Sequence, residues 1–82
     1  MAKDLTPLVT EKAVMLIEAQ NTLAFKASKE MTKTEAKREV ESMFKVKVSS
    51  VRAMVKANKK YFYVRLRPEF LAIDVATKIG MI

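Results

Sequence analysis

From Tyr61 to Arg67 the chain alternates with a period of two. Phe62, Val64 and Leu66 fall on one parity; Tyr61, Tyr63, Arg65 and Arg67 fall on the other. This is the period of a β-strand, whose successive side chains point to opposite faces. Pro68 ends it, because proline has no N–H to give to a ladder. The first parity is ordinary core. The second, two tyrosines followed by two arginines, is what the rest of the sequence has to account for.

Two more stretches have strand character. Residues 22–27 (TLAFKA) place Leu23, Phe25 and Ala27 inward and Thr22, Ala24 and Lys26 outward. Residues 46–56 are rich in valine, with Arg52, Met54 and Lys56 on one parity and Val51, Ala53 and Val55 on the other. A short turn over 56–60 (KANKK) joins this strand to the next, with Asn58 suited to a left-handed backbone.

Helices fit between the strands. Pro7 blocks an early helix start and leaves residues 1–9 extended. Thr10 is a good N-cap and Glu11 suits the first turn, where the helix dipole favours an anion. Ala13, Val14, Leu16 and Ile17 give this helix its apolar side, and Asn21 ends it. Thr32-Lys33-Thr34-Glu35 is a capping box, followed at helical spacing by Ala36, Val40, Met43 and Phe44. Met43 and Met81 read as core filling, and Lys33, Lys37, Arg38, Glu39 and Glu41 as a solvated helix face. A last short helix is expected after Asp74 as cap, with Val75 and Ile79 inward and Gly80 as its stop.

This order predicts an α+β fold: a split βαβ arrangement with a small antiparallel sheet, the main helix on one face and short helices towards both ends. A right-handed crossover puts the last strand between the other two. With 82 residues and no linker or repeat, residues 1–82 read as one domain. A domain of this size buries only roughly 60% of its unfolded surface, which leaves little room for an internal pocket.

Charge then separates the faces. The net charge is +7, yet no acid lies between Glu41 and Glu69. That window holds Lys45, Lys47, Arg52, Lys56, Lys59, Lys60, Arg65 and Arg67, so the whole excess belongs to it. One sheet face gathers Lys26, Arg52, Lys56, Arg65 and Arg67 around two tyrosines. Tyr and Arg also suit an exposed pleated surface for its own sake. Like charges without interspersed acids, however, repel one another unless a polyanion removes the cost. Phosphates meet Arg and Lys; tyrosine rings stack on bases or sugars.

Other classes fare worse. The chain has no Cys and no His, which removes thiolate metal sites, thiol nucleophiles and the usual neutral-pH base. An acyl-phosphate hydrolase shares the split βαβ layout but needs a glycine-rich phosphate cradle, and Gly80 is the only glycine. No enzyme is expected, hence no catalytic residue, metal, cofactor or small-molecule substrate. A free-standing single-stranded RNA-binding module of RNA-recognition-motif type is the alternative, but its aromatic- and glycine-rich strand signature is missing. The first residues carry no signal-peptide pattern, and no apolar run approaches ~20 residues, so a cytoplasmic chain without membrane insertion is expected.

VTEKAVMLIEAQNT, TKTEAKREVESMFKVKV, SSVRAMV and KKYFYVRL, taken in this order, resemble the family of large-subunit ribosomal protein twenty-three in its short archaeal form. The resemblance runs from about Pro7 to Gly80. It implies binding to large-subunit rRNA beside the polypeptide exit tunnel, among neighbouring ribosomal proteins. It also implies a first helix lying partly over the second sheet face. A docking platform for the signal recognition particle and the translocon is implied as well, with Glu18 in the place of the family's docking glutamate and Asn21 beside it. The long basic loop of bacterial members is reduced here to about 57–60, so contact inside the tunnel is not implied. Ala53 stands where Thr is commoner. The expected rRNA-binding residues are Lys12, Lys26, Arg52, Lys56, Lys59, Lys60, Tyr61, Tyr63, Arg65 and Arg67.

Overall fold

The computed structural model describes residues 5–8 and 10–78. Its elements are β1 (Thr6–Pro7), α1 (Glu11–Gln20), β2 (Thr22–Ala27), α2 (Lys33–Phe44), β3 (Val48–Lys56), β4 (Lys59–Leu66) and α3 (Ala72–Lys78). The sheet order is β1-β2-β4-β3 with every pair antiparallel, so β4 lies between the strands joined by the α2 crossover. This is the split βαβ layout, with one short strand added at the edge. β1 pairs Thr6 with Lys26 and Pro7 with Phe25; an outermost strand tolerates a proline because half of its ladder positions have no partner.

Local chemistry sets the helix ends. Thr10 Oγ1 accepts from the Ala13 amide at 3.1 Å and starts α1. The α2 capping box is reciprocal: Thr32 N–H donates to Glu35 Oε1 at 2.9 Å, and Glu35 N–H donates to Thr32 Oγ1 at 3.2 Å. α1 and α2 both end in a left-handed residue, Asn21 at φ 53° and Lys45 at φ 54°. Ala57 and Asn58, at φ 52° and 65°, form the two-residue turn between β3 and β4. Glycine usually fills such positions, but the chain's one glycine is elsewhere. Asparagine tolerates this backbone; Lys45 and Ala57 bear a cost of about 1–2 kcal/mol each.

The core lies between the sheet and α2. Phe25, Phe62, Leu23, Val40 and Val64 are fully buried, and Phe25 stacks on Phe44 with ring centroids 6.3 Å apart. From α3, Ala72, Val75 and Ala76 join the same cluster.

Several sequence expectations change. Thr22 and Ala24 are buried rather than outward, because α1 packs on β2. Met43 is 40% exposed: Ala36, Val40 and Phe44, four residues apart, take the inner stripe of α2 and leave Met43 to one side. Glu41 is half-buried, and its Oε2 accepts from the Val48 amide at 3.0 Å. β3 starts at Val48 rather than 46, with a register shift between Val48 and Ser50. β4 begins at Lys59 and ends at Leu66, so Arg67 lies past it. α3 begins at Ala72, which puts Asp74 in its first turn and not at its cap. The assignments made for Ile79, Gly80 and Met81 lie outside the described residues.

Candidate nucleic-acid interface

Pairing register assembles the face opposite α2. Across the sheet, Tyr63 on β4 sits between Ala24 on β2 and Arg52 on β3; Tyr61 sits between Lys26 and Met54; Arg65 sits between Thr22 and Ser50. At the hairpin end Lys59 faces Lys56. None of these positions is acidic. Arg52, Lys56, Lys59 and Arg65 are exposed, and both tyrosines are half-buried.

α1 supplies one wall. Lys12, Leu16 and Gln20 line a furrow of about 400 Å³ together with Tyr63, Arg52 and Arg65. A second furrow of about 280 Å³ continues past Tyr61 and Lys56, sharing Lys12, Met54 and Tyr63 with the first. Eight of the ten basic and aromatic residues expected to bind RNA therefore gather here: Lys12, Lys26, Arg52, Lys56, Lys59, Tyr61, Tyr63 and Arg65.

The other two are placed elsewhere. Lys60 pairs with Ala27 and Val55, on the parity of Phe62. Its Nζ donates to the Met31 carbonyl at 2.8 Å and lies 5.5 Å from the centre of the Phe62 ring. It belongs to the α2 side and is held there. Arg67 sits in the turn towards α3, where its amide donates to the Lys47 carbonyl at 3.0 Å and its own carbonyl accepts from Phe70 at 2.9 Å. Gln20 and Ser50 were not expected and line the first furrow. Ser50 shares the parity of Arg52 and could have been read from the sequence. Gln20 arrives only because α1 leans over the sheet.

Lys26 shows the repulsion between like charges on this face. The neighbouring Lys59 holds its pKa below the ordinary lysine value, through hydrogen bonding first and charge repulsion second, with burial adding to both. A lysine whose folded pKa is lowered costs stability while protonated, and that cost disappears as pH rises through the lowered value. Lys26→Met keeps an unbranched side chain close to the length of the lysine stem and removes the charge. It is expected to raise the melting temperature at pH 7, to remove part of the wild type's gain in stability on going to alkaline pH, and to weaken RNA binding. Thermal melts at pH 7 and pH 10 check this; a lower melting temperature at pH 7 would count against repulsion at this site.

Glu18 and Asn21 line a neighbouring groove that shares Gln20 and Arg65 with the first furrow. Glu18 is exposed on a groove of about 700 Å³ between the end of α1 and the start of α3, beside Leu71 and Ile73. Leu71 is 52% exposed there. The Asn21 side chain is engaged within the fold. Its Nδ2 donates to the carbonyls of Phe70 at 2.9 Å, Leu66 at 3.3 Å and Arg67 at 3.4 Å, and its Oδ1 accepts from the Ala72 amide at 2.6 Å. It brackets α1, β4 and α3 and caps α3 from a distant part of the chain.

Among the described residues there is no cluster of three or more acidic, His or Cys side chains placed to hold a metal ion, and no helix is long and apolar enough to cross a membrane. Comparison with protein families matches the chain to the family described as Ribosomal protein L23 over residues 4–73.

Proposed function

Because the chain belongs to the ribosomal protein L23 family, a constituent of the large ribosomal subunit, we propose that its basic sheet face binds large-subunit rRNA near the polypeptide exit tunnel. The observation that carries this reading is the gathering of Lys12, Lys26, Arg52, Lys56, Lys59 and Arg65 around two tyrosines on a face without an acidic strand position. Such a face repels itself when bare and is relieved by phosphates. The role is structural rather than catalytic, and the place of action is the cytoplasmic ribosome. The free-standing single-strand module is the weaker reading, because α1 buries the β2 positions such a module would leave open to RNA.

The groove beside Glu18 faces a different task. It is apolar at Leu71 and Ile73 and carries one charge of each sign, Glu18 from α1 and Arg65 from β4. By family resemblance the partner that meets Glu18 is a nascent-chain targeting factor such as the signal recognition particle, or the translocon. The groove adjoins the basic furrow, sharing Gln20 and Arg65 with it, whereas Glu18, Leu71 and Ile73 line the groove and not the furrow.

The test is sedimentation. The untagged chain should travel with large subunits and remain with them through a high-salt wash. Glu18→Lys should incorporate equally well and weaken the binding of the targeting factor to the assembled subunit, compared at one salt concentration. Failure of the wild type to travel with large subunits before the wash would contradict rRNA binding. Loss of incorporation by Glu18→Lys would move the groove to the ribosome-facing side.

A further inference from the structure

Charge explains the rim of the basic face but not its floor. Tyr63 is half-buried, pairs with Arg52 of β3 and lines the furrow of about 400 Å³ together with Leu16 of α1. This volume falls in the lower part of the range of small-molecule sites in general, about 300–1,000 Å³. A duplex has little use for such a floor, because its bases are stacked and their faces hidden. An unpaired base has a free face, and stacking on an aromatic side chain is how unpaired RNA is held.

The spacing agrees. Tyr61 and Tyr63 are two residues apart on one strand, about 6.8 Å at the usual rise. This is twice the ~3.4 Å step of stacked bases along one nucleic-acid strand. Two bases lying on these rings would be pulled apart rather than stacked on each other. Arg52 sits directly across from Tyr63, and Arg65 is the next residue along β4 on the same face, so cations stand where the phosphates on either side of such a base would pass. Gln20 and Ser50 line the same furrow and bring hydrogen-bonding groups for a base edge.

We propose that this furrow is a site for an unpaired nucleobase, stacked on Tyr63 and flanked by Arg52 and Arg65, with Tyr61 taking the neighbouring base. The inference rests on the RNA-binding reading and narrows it: the chain clasps a single-stranded or bulged segment, and does not only lie against the backbone of a helix.

The full chain can be tested with two probes at one salt concentration, a ten-nucleotide oligouridylate carrying 4-thiouridine and an RNA duplex of equal phosphate count. The chain has no tryptophan, so its emission reports Tyr61 and Tyr63 alone. The single strand should quench that emission and bind about tenfold more tightly than the duplex. Tyr63→Leu should abolish the preference by weakening single-strand binding about tenfold more than duplex binding, whereas Tyr63→Phe should retain it. Photocrosslinking of the wild type, which does not depend on how well a variant folds, should join the thiouridine to the peptide containing Tyr63. Equal binding of both probes, equal weakening of both by Tyr63→Leu, or crosslinks confined to other peptides would overturn the base site and leave backbone binding intact. Failure of the wild type to bind either RNA would overturn both readings.

Discussion

Phe62→Ala is expected to cost about 3–5 kcal/mol, close to the whole stability of so small a domain. Phe62 is at the middle of β4, the strand with neighbours on both sides, and pairs with Phe25 and Ala53. It is fully buried, so truncation removes its burial and leaves a cavity against Val40 and Val64, themselves fully buried. The Lys60 ammonium near its ring would lose that contact as well. Urea unfolding should show a collapse of the transition midpoint. Arg65→Ala, on the opposite face of the same strand and exposed, should stay within about 0.5 kcal/mol of the wild type. Similar losses for the two would mean that the faces of β4 are reversed.

Asn21→Ala is expected to cost about 3 kcal/mol, a large effect for a residue that is not in the apolar core. Two of its amide donations and its acceptance from Ala72 are partly buried, and each such bond contributes about 0.5–1.5 kcal/mol net. Alanine would also bear the left-handed backbone at φ 53°, at about 1–2 kcal/mol. Asn21→Gly separates the two causes, since it relieves the backbone and still loses the bonds; it should fall between the wild type and Asn21→Ala. Should Asn21→Ala keep full stability and yet lose docking of a targeting factor, Asn21 would be a surface recognition residue after all.

What could be read from the sequence was local. The capping box at Thr32, the N-cap at Thr10 and the left-handed Asn58 depend on neighbours within a few residues, and all three are formed. The strand alternation gave the facing of β4 correctly, and the split βαβ reading placed it between β2 and β3. Lys60 was also legible: it shares the parity of Phe62, which already assigns it to the α2 side, although charge alone groups it with its neighbours. Other features depend on contacts far apart in the chain. The bonds of Asn21 reach partners 45 to 51 positions away, and no local pattern announces them. The burial of Thr22 and Ala24 comes from α1 lying on β2, an outcome that two-residue alternation has no means of expressing. The end of β4 before Arg67 follows from the turn its backbone makes with Lys47 and Phe70.

The central claim is that the sheet face opposite α2 is the RNA-binding side, and the salt dependence of binding tests it most directly. Each neutralised phosphate releases counterions and contributes about 0.7–0.9 to the slope of log affinity against log salt. Binding of the chain to a large-subunit rRNA fragment should therefore weaken linearly on that plot. Changing Arg52 and Arg65 together to Gln should make the slope shallower by about 1.5, while changing Lys33 and Lys37 on α2 together to Gln should leave it unaltered. An unchanged slope for the Arg52/Arg65 variant, with the loss appearing in the Lys33/Lys37 variant instead, would place the RNA on the helical side and contradict the account.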